Sequence, residues 1–330
     1  MNPSMRTIRF ILLAFGLLVV TLALLIAFGG PSTPAPMASI NDPFKSVDFS
    51  DLPPVSTFKA DDGASLAYRK YLPAATAKPA GSVTLIHGSS ANSNSMHPMA
   101  RALAAAGYTV FALDMRGHGQ SGTKGHIDHI GQLDSDLAAF ARAVQPPQPS
   151  TLVGFSAGGG FVLRIAGGPQ QSLFGSYLLL SPFLSQKAPN LRPGGGGWAS
   201  VGIARAFALV VLNKIGIHAL NDLTITRFAL NEKARAMLTP EYDYNLVMNF
   251  RPEFDYEANI RHVQRPCAII AGSADEAFFT DKLEGIVRGA GQQWPVVLLP
   301  GLGHIPLTLD PSALQAIVQQ VQALQQQPAH

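Results

Sequence analysis

The stretch TLVGFSAGGG, residues 151–160, carries an apolar segment through Ser156 into a run of small residues. Gly154-Phe155-Ser156-Ala157-Gly158 matches the pattern G-x-S-x-G. The two glycines of that pattern let the backbone turn sharply from strand to helix without a Cβ clash, and the turn leaves the serine strained and exposed. In a chain with 31 glycines the pattern alone is weak, and its surroundings decide. Thr151, Leu152 and Val153 read as a strand before it, and residues 161–166, FVLRIA, read as a helix after it. This is the context that a nucleophile elbow requires.

Working outward, 330 residues leave about 280 for a catalytic domain once an N-terminal segment is set aside, enough for one large core. Charged residues make up 14%, below the roughly 25% usual in soluble domains. A net charge of +3, with Lys and Arg scattered and no aromatics interleaved among them, excludes the electrostatic footprint of a nucleic-acid binder. Cys267 stands alone inside the apolar run CAIIA and reads as a buried, inert thiol.

Residues 8–28 are almost uninterruptedly apolar, and at about 1.5 Å per residue a helix of that length spans roughly 30 Å of hydrocarbon. Arg6 and Arg9 lie on its N-terminal side and the next basic residue is Lys45, which puts the N-terminus in the cytoplasm and the remainder outside. A cleaved signal peptide competes with a retained anchor over residues 1–30. Its apolar region would usually be about 7–15 residues long, and the only small-x-small site here is Ala27-Phe28-Gly29. The retained anchor is the favoured reading, with the catalytic domain on the non-cytoplasmic side.

Residues 31–54, rich in Pro, Ser and Ala, read as an extended linker holding the domain off the membrane. From residue 55 to 330 one large domain follows. It opens with strands at 55–60 and 65–71 around the turn Asp61-Asp62-Gly63. Apolar runs at 82–87, 109–113, 151–155, 176–180, 266–271 and 296–299 then alternate with helical segments at 98–106, 132–144, 157–166, 280–289 and 311–325. That alternation predicts an α/β fold with a mostly parallel, doubly wound sheet. At about 183–261 the alternation breaks into a glycine-rich loop at 193–197, an apolar helix at 198–215 and further helical pieces. This segment reads as a helical cap inserted over the sheet, with one face of 207–212 covering it and another either lining an apolar acyl pocket or serving simply as core.

A serine at its ordinary pKa is a poor nucleophile, so a base must reach it and an acid must hold that base in one tautomer. Of nine histidines, His304 lies in the glycine-flanked loop LPGLGH after the last strand, where its side chain can swing over the sheet edge. His87 and His118 read as loop braces. Asp275, in GSADE after the strand at 266–271, sits at the strand's C-terminal end, where sites of this sheet class gather. Asp281 and Glu276 are fallbacks, more simply a helix N-terminal charge and a solvated residue. The order Ser156, Asp275, His304 is the Ser-acid-His order of an α/β-hydrolase. His87-Gly88-Ser89-Ser90 follows the strand at 82–86, so the N–H groups of Ser89 and Ala157 are the expected oxyanion hole; losing one such donor typically costs about 10²–10³ in rate.

With HGSS, DMRGHGQSG (residues 114–122), GFSAGG, GSADE and LPGLGH in place, the chain resembles α/β-hydrolases of the lysophospholipase, monoacylglycerol lipase and serine aminopeptidase-like branch over about residues 55–325. The resemblance implies Ser156 as nucleophile, Asp275 as acid, His304 as base, and Ser89 with Ala157 as the oxyanion hole. It also implies that the arginine and histidine of 114–122 are structural. The expected activity is hydrolysis of carboxylic esters, lipid esters among them, without cofactor or metal. Amide or peptide hydrolysis on the same fold is the alternative, and a non-catalytic binding protein a distant one. No motif in the cap names the substrate.

Overall fold

Short runs rich in Val, Leu and Ile form the strands of the central sheet. The computed structural model describes residues 3–327. Its strands are β1 (Val55–Lys59), β2 (Ser65–Tyr71), β3 (Ser82–Ile86), β4 (Thr109–Leu113), β5 (Ser150–Phe155), β6 (Ser176–Leu180), β7 (Ala199–Val201), β8 (Thr224–Phe228), β9 (Glu241–Asp243), β10 (Cys267–Gly272) and β11 (Val296–Leu299). The helices are α1 (Pro3–Phe28), α2 (Ala38–Asn41), α3 (His97–Ala105), α4 (Gln132–Val144), α5 (Ala157–Ala166), α6 (Ile203–Lys214), α7 (Glu232–Met237), α8 (Tyr244–Asn249), α9 (Tyr256–His262), α10 (Leu283–Gly289) and α11 (Pro311–Gln326).

Eight strands form one sheet in the order β1-β2-β4-β3-β5-β6-β10-β11. β2 runs antiparallel to both of its neighbours, and every other pairing is parallel. Because side chains alternate across a strand, Leu152 of β5 faces a core with Leu137 and Phe140 of α4 and Phe161 of α5, while Val153 faces Met99 and Leu103 of α3 and Ile317 and Val321 of α11. Each such side chain, fully buried, contributes about 1.5–3 kcal/mol. The expected doubly wound sheet is therefore present. The loops that leave the C-terminal ends of β3, β5, β10 and β11 lead to Ser89, Ser156, Asp275 and His304 respectively.

The insertion between β6 and β10 is less helical than its composition predicts. Residues 199–201 begin the expected apolar helix as a strand, and β7, β8 and β9 form a separate antiparallel sheet of three strands. Two of these strands are only three residues long, too short to leave an alternation in the sequence. Of the two readings of 207–212, plain core is the one realised at Leu209. Leu209 of α6 packs with Ile225 and Tyr244 in a small core of the insertion itself, and Phe207 is exposed.

Residues 31–54 do not form a free linker. The Met37 N–H donates to the Ala229 carbonyl, the hydroxyls of Ser32 and Ser200 lie 2.8 Å apart, and Asp51 pairs with Arg101 and His97. The segment follows the body of the protein because its backbone groups find partners there. α1 is the one helix among the described residues long and apolar enough to cross a membrane, with a mean hydropathy of 3.0 over Arg6–Phe28.

Candidate active site

Ser156 stands between the last residue of β5 and the first of α5, with φ 56° and ψ −117°. A non-glycine residue at positive φ is strained, and the surroundings hold it there. Its N–H donates to the Leu180 carbonyl, and its own carbonyl accepts from Gly160 and Phe183. A Cβ on Gly154 would lie 2.2 Å from the Gly158 carbonyl oxygen, and one on Gly158 would lie 2.3 Å from the His87 oxygen. Both glycines of the motif are thus demanded by close backbone approach, as the elbow reading required. Ala157 is the first residue of α5, so its N–H has no carbonyl one turn earlier to bond.

Asp275 and His304 are both buried, and the imidazole Nδ1 donates to the Asp275 carboxylate at 2.7 Å. The other carboxylate oxygen accepts from the backbone N–H groups of Ala277 and Phe278 at 2.8 and 2.9 Å. Burial pushes the Asp275 carboxyl up, but the hydrogen bond and charge of His304 and the two N–H donors outweigh it and hold the group below its ordinary value. Asp275 is therefore the ionised partner that fixes the imidazole tautomer. Glu276 is more than a solvated residue: its carboxylate accepts the His304 backbone N–H at 2.8 Å and so braces the histidine loop. Asp281 is exposed in the 3-10 turn just before α10 and stands where a helix N-terminal charge was expected.

The imidazole is boxed by rings. Phe155, Trp198 and Phe278 lie 4.7, 4.9 and 5.2 Å from it, centroid to centroid. Its Nε2 and the Trp198 indole nitrogen are buried without hydrogen-bond partners among the described residues. The Ser156–His304 hydrogen bond is therefore not made in this conformation; such bonds commonly tighten only when substrate is bound. Trp198 follows Gly194–Gly197, whose φ values of 67, 57, 67 and 80° are open to glycine but costly for other residues.

The loop after β3 reaches the elbow. A Cβ on Gly88 would lie 3.4 Å from the Ser156 Cβ, which brings the neighbouring Ser89, half-buried, to the serine's side. Ser90, at φ 66°, is held by the insertion: its N–H donates to the Tyr242 hydroxyl, its Oγ donates to the Thr239 carbonyl, and its own carbonyl accepts from Thr239. Tyr242 in turn donates to Nε2 of His118, whose Nδ1 is bonded to the Arg116 carbonyl. Burial and the neighbouring His87 hold His118 well below its ordinary pKa, so it is the neutral acceptor this chain needs. His87 also braces, with Nδ1 on the Gly88 carbonyl and Nε2 accepting from Met115. Arg116 is paired with Asp136 and Asp62, a structural role as expected. Tyr242, Thr239 and Trp198 carried no motif in the sequence, and Glu276 stood in GSADE only as a fallback acid; the part each plays follows from contacts across the fold.

Sheet order, elbow and the acid–base pair at strand ends define an α/β-hydrolase. The Hydrolase_4 family, described as serine aminopeptidase, S33, matches residues 77–310, and the chain belongs to that family. A monoacylglycerol lipase of Mycolicibacterium smegmatis is 34% identical over 110 residues, which are 32% of this chain and 39% of that protein. The chain thus matches well under half the length of that relative. Among solved structures, a soluble variant of the Saccharomyces cerevisiae monoglyceride lipase superposes with TM-score 0.64 at 18% identity, covering 86% of this chain and 98% of the other. A membrane phospholipase A superposes with TM-score 0.58 at 18% identity, covering 98% of each chain. At such identity both are similar to this chain in fold.

Proposed function

We propose that this hydrolase cleaves carboxylic esters, lipid esters among them, with Ser156 as nucleophile, His304 as base, Asp275 as acid, and the N–H groups of Ser89 and Ala157 as the oxyanion hole. The observation that carries the reading is the buried Asp275–His304 pair, 2.7 Å apart, in loops at the same C-terminal end of the sheet as the strained Ser156. In the reaction His304 Nε2 takes the Ser156 proton as Oγ attacks the carbonyl carbon. The tetrahedral oxyanion is held by the two backbone donors, and the proton passes to the leaving alkoxide. Water, activated by the same imidazole, then clears the acyl-enzyme.

The aromatic walls around His304 and the lipase neighbours support an apolar acyl group. The family's aminopeptidase description keeps peptide hydrolysis as the second reading. Against it, two of the four acidic groups that follow the apolar helix are otherwise engaged, Glu241 with Arg227 and Asp243 with His126, while Asp222 and Glu232 are exposed. The test is labelling of the full chain by a fluorophosphonate probe. Wild type is expected to label and to turn over an acyl ester, and Ser156→Ala to do neither while remaining folded. Full turnover by Ser156→Ala would overturn the assignment.

A further inference from the structure

The last two turns of α1 are not free. Leu22 is buried and Leu25, Ile26 and Gly29 are half-buried, at the three-to-four spacing of one helix face, and that face packs on α6 of the insertion. The joint is a close one. A Cβ on Gly29 would lie 2.7 Å from the Ala204 Cβ, and one on Gly202 would lie 2.7 Å from the Gly29 carbonyl oxygen. Arg205 locks it: its Nε donates to the Ile26 carbonyl at 2.8 Å, its Nη1 to the Thr224 carbonyl at 2.8 Å, and its backbone N–H to the Gly29 carbonyl at 3.2 Å. A cation at a helix C-terminus both satisfies carbonyls left unpaired there and complements the dipole.

Beside this joint α6 shows an unpartnered apolar stripe. Ile203 and Phe207 are 76% and 60% exposed, and just beyond the helix Ile215 and Ile217 are 67% and 45% exposed. Exposed Lys214 and His218 lie among them, suited to reach phosphate headgroups while the apolar side chains stay below. Soluble surfaces rarely leave so many large apolar side chains together.

We propose that the anchor and the insertion form one membrane-embedding unit, in which the α1–α6 joint holds Ile203, Phe207, Ile215 and Ile217 in the lipid surface. This rests on reading α1 as a membrane anchor, and its partner is the bilayer because the stripe is continuous with the end of that helix. An interfacial helix sinks about 5–10 Å into the headgroup and acyl boundary, and the last two turns of α1 that carry α6 cover a similar depth. Only the short β7 and Gly202 separate Ile203 from Trp198, whose ring lies 4.9 Å from that of His304, so the embedded face is joined closely to the site.

The chain's single cysteine, Cys267, is buried, which permits environment-sensitive labels at introduced cysteines. Full-length protein carrying Phe207→Cys, Ile215→Cys, Leu17→Cys or Leu72→Cys is reconstituted in phosphatidylcholine–phosphatidylglycerol vesicles with brominated acyl chains. Labels at 207 and 215 are expected to be quenched by the bromolipid at least about threefold more than the label at the exposed Leu72, and shielded from aqueous iodide. Quenching at 17 with iodide-accessible labels at 207 and 215 would leave the anchor standing and overturn the proposal. No quenching at 17 would remove the anchor, and the proposal with it. Labels at 207 and 215 shielded from iodide yet untouched by bromolipid would mean a protein occupant and would equally overturn it.

Discussion

At the scale of single residues, the site depends on groups that act through one another. His304→Gln should lower kcat by several orders of magnitude and Asp275→Asn somewhat less, with the double variant little worse than His304→Gln, because hydrolase triads work as a unit and their losses do not add. Steady-state kinetics on one ester checks this, and additive losses would count against a shared role. Tyr242 is a positioning residue. Tyr242→Phe leaves the Ser90 N–H and His118 Nε2 unpaired in a buried setting, at a cost of about 1–3 kcal/mol. The loop bearing Ser89 would then relax, so kcat should fall about tenfold with KM nearly unchanged. A lower melting temperature with unaltered kcat would reduce Tyr242 to scaffolding.

Among the elements, glycines separate by what surrounds them. Gly158→Ala drives a Cβ against the His87 oxygen and should cost about 3 kcal/mol with loss of activity. Gly285→Ala, on α10 with nothing nearby, should stabilise by about 0.5–1 kcal/mol. Urea denaturation of the two variants distinguishes them. Asp243 caps α8 by accepting the Leu246 N–H at 2.7 Å, and burial pushes its carboxyl up to about 6 from 3.8 despite that bond and the neighbouring His126. A carboxyl whose folded pKa is raised holds its proton more tightly when folded. Its contribution is therefore fully present below the unfolded value, near pH 4, and is lost as pH rises through about 6. Asp243→Asn cannot ionise yet keeps a capping oxygen. Relative to this variant, wild type should be more stable at pH 4 than at pH 8 by on the order of 2 kcal/mol. Equal differences at both pH values would refute the assignment.

For the whole molecule, the question is which acyl group the site beside the aromatic rings around His304 accepts. Each methylene transferred to an apolar pocket contributes about 0.8 kcal/mol. Lengthening an acyl chain from about four to about eight carbons should therefore raise kcat/KM by up to roughly 10²-fold. A series of acyl esters measured beside aminoacyl amides checks this. A flat profile, or amides cleaved faster than every ester, would favour the peptide reading.

Much of this was legible in residue order. The elbow, the strands at its sides and the order Ser156, Asp275, His304 follow from local constraints: short continuous apolar runs, glycines where backbones must touch, and loops that start at strand ends. β4, β6 and β11 and helices α4 and α5 fall at the boundaries read from the sequence, since each is a strongly apolar or strongly periodic segment between clear breaks. Only the tertiary structure decided that residues 31–54 lie against the body, that the insertion contains its own sheet, that Tyr242 and Glu276 brace the loops of the site, and that Arg205 joins the insertion to α1. Those contacts unite residues far apart in the chain. Their partners are ordinary polar or small side chains, and only the folded geometry sets which of them meet.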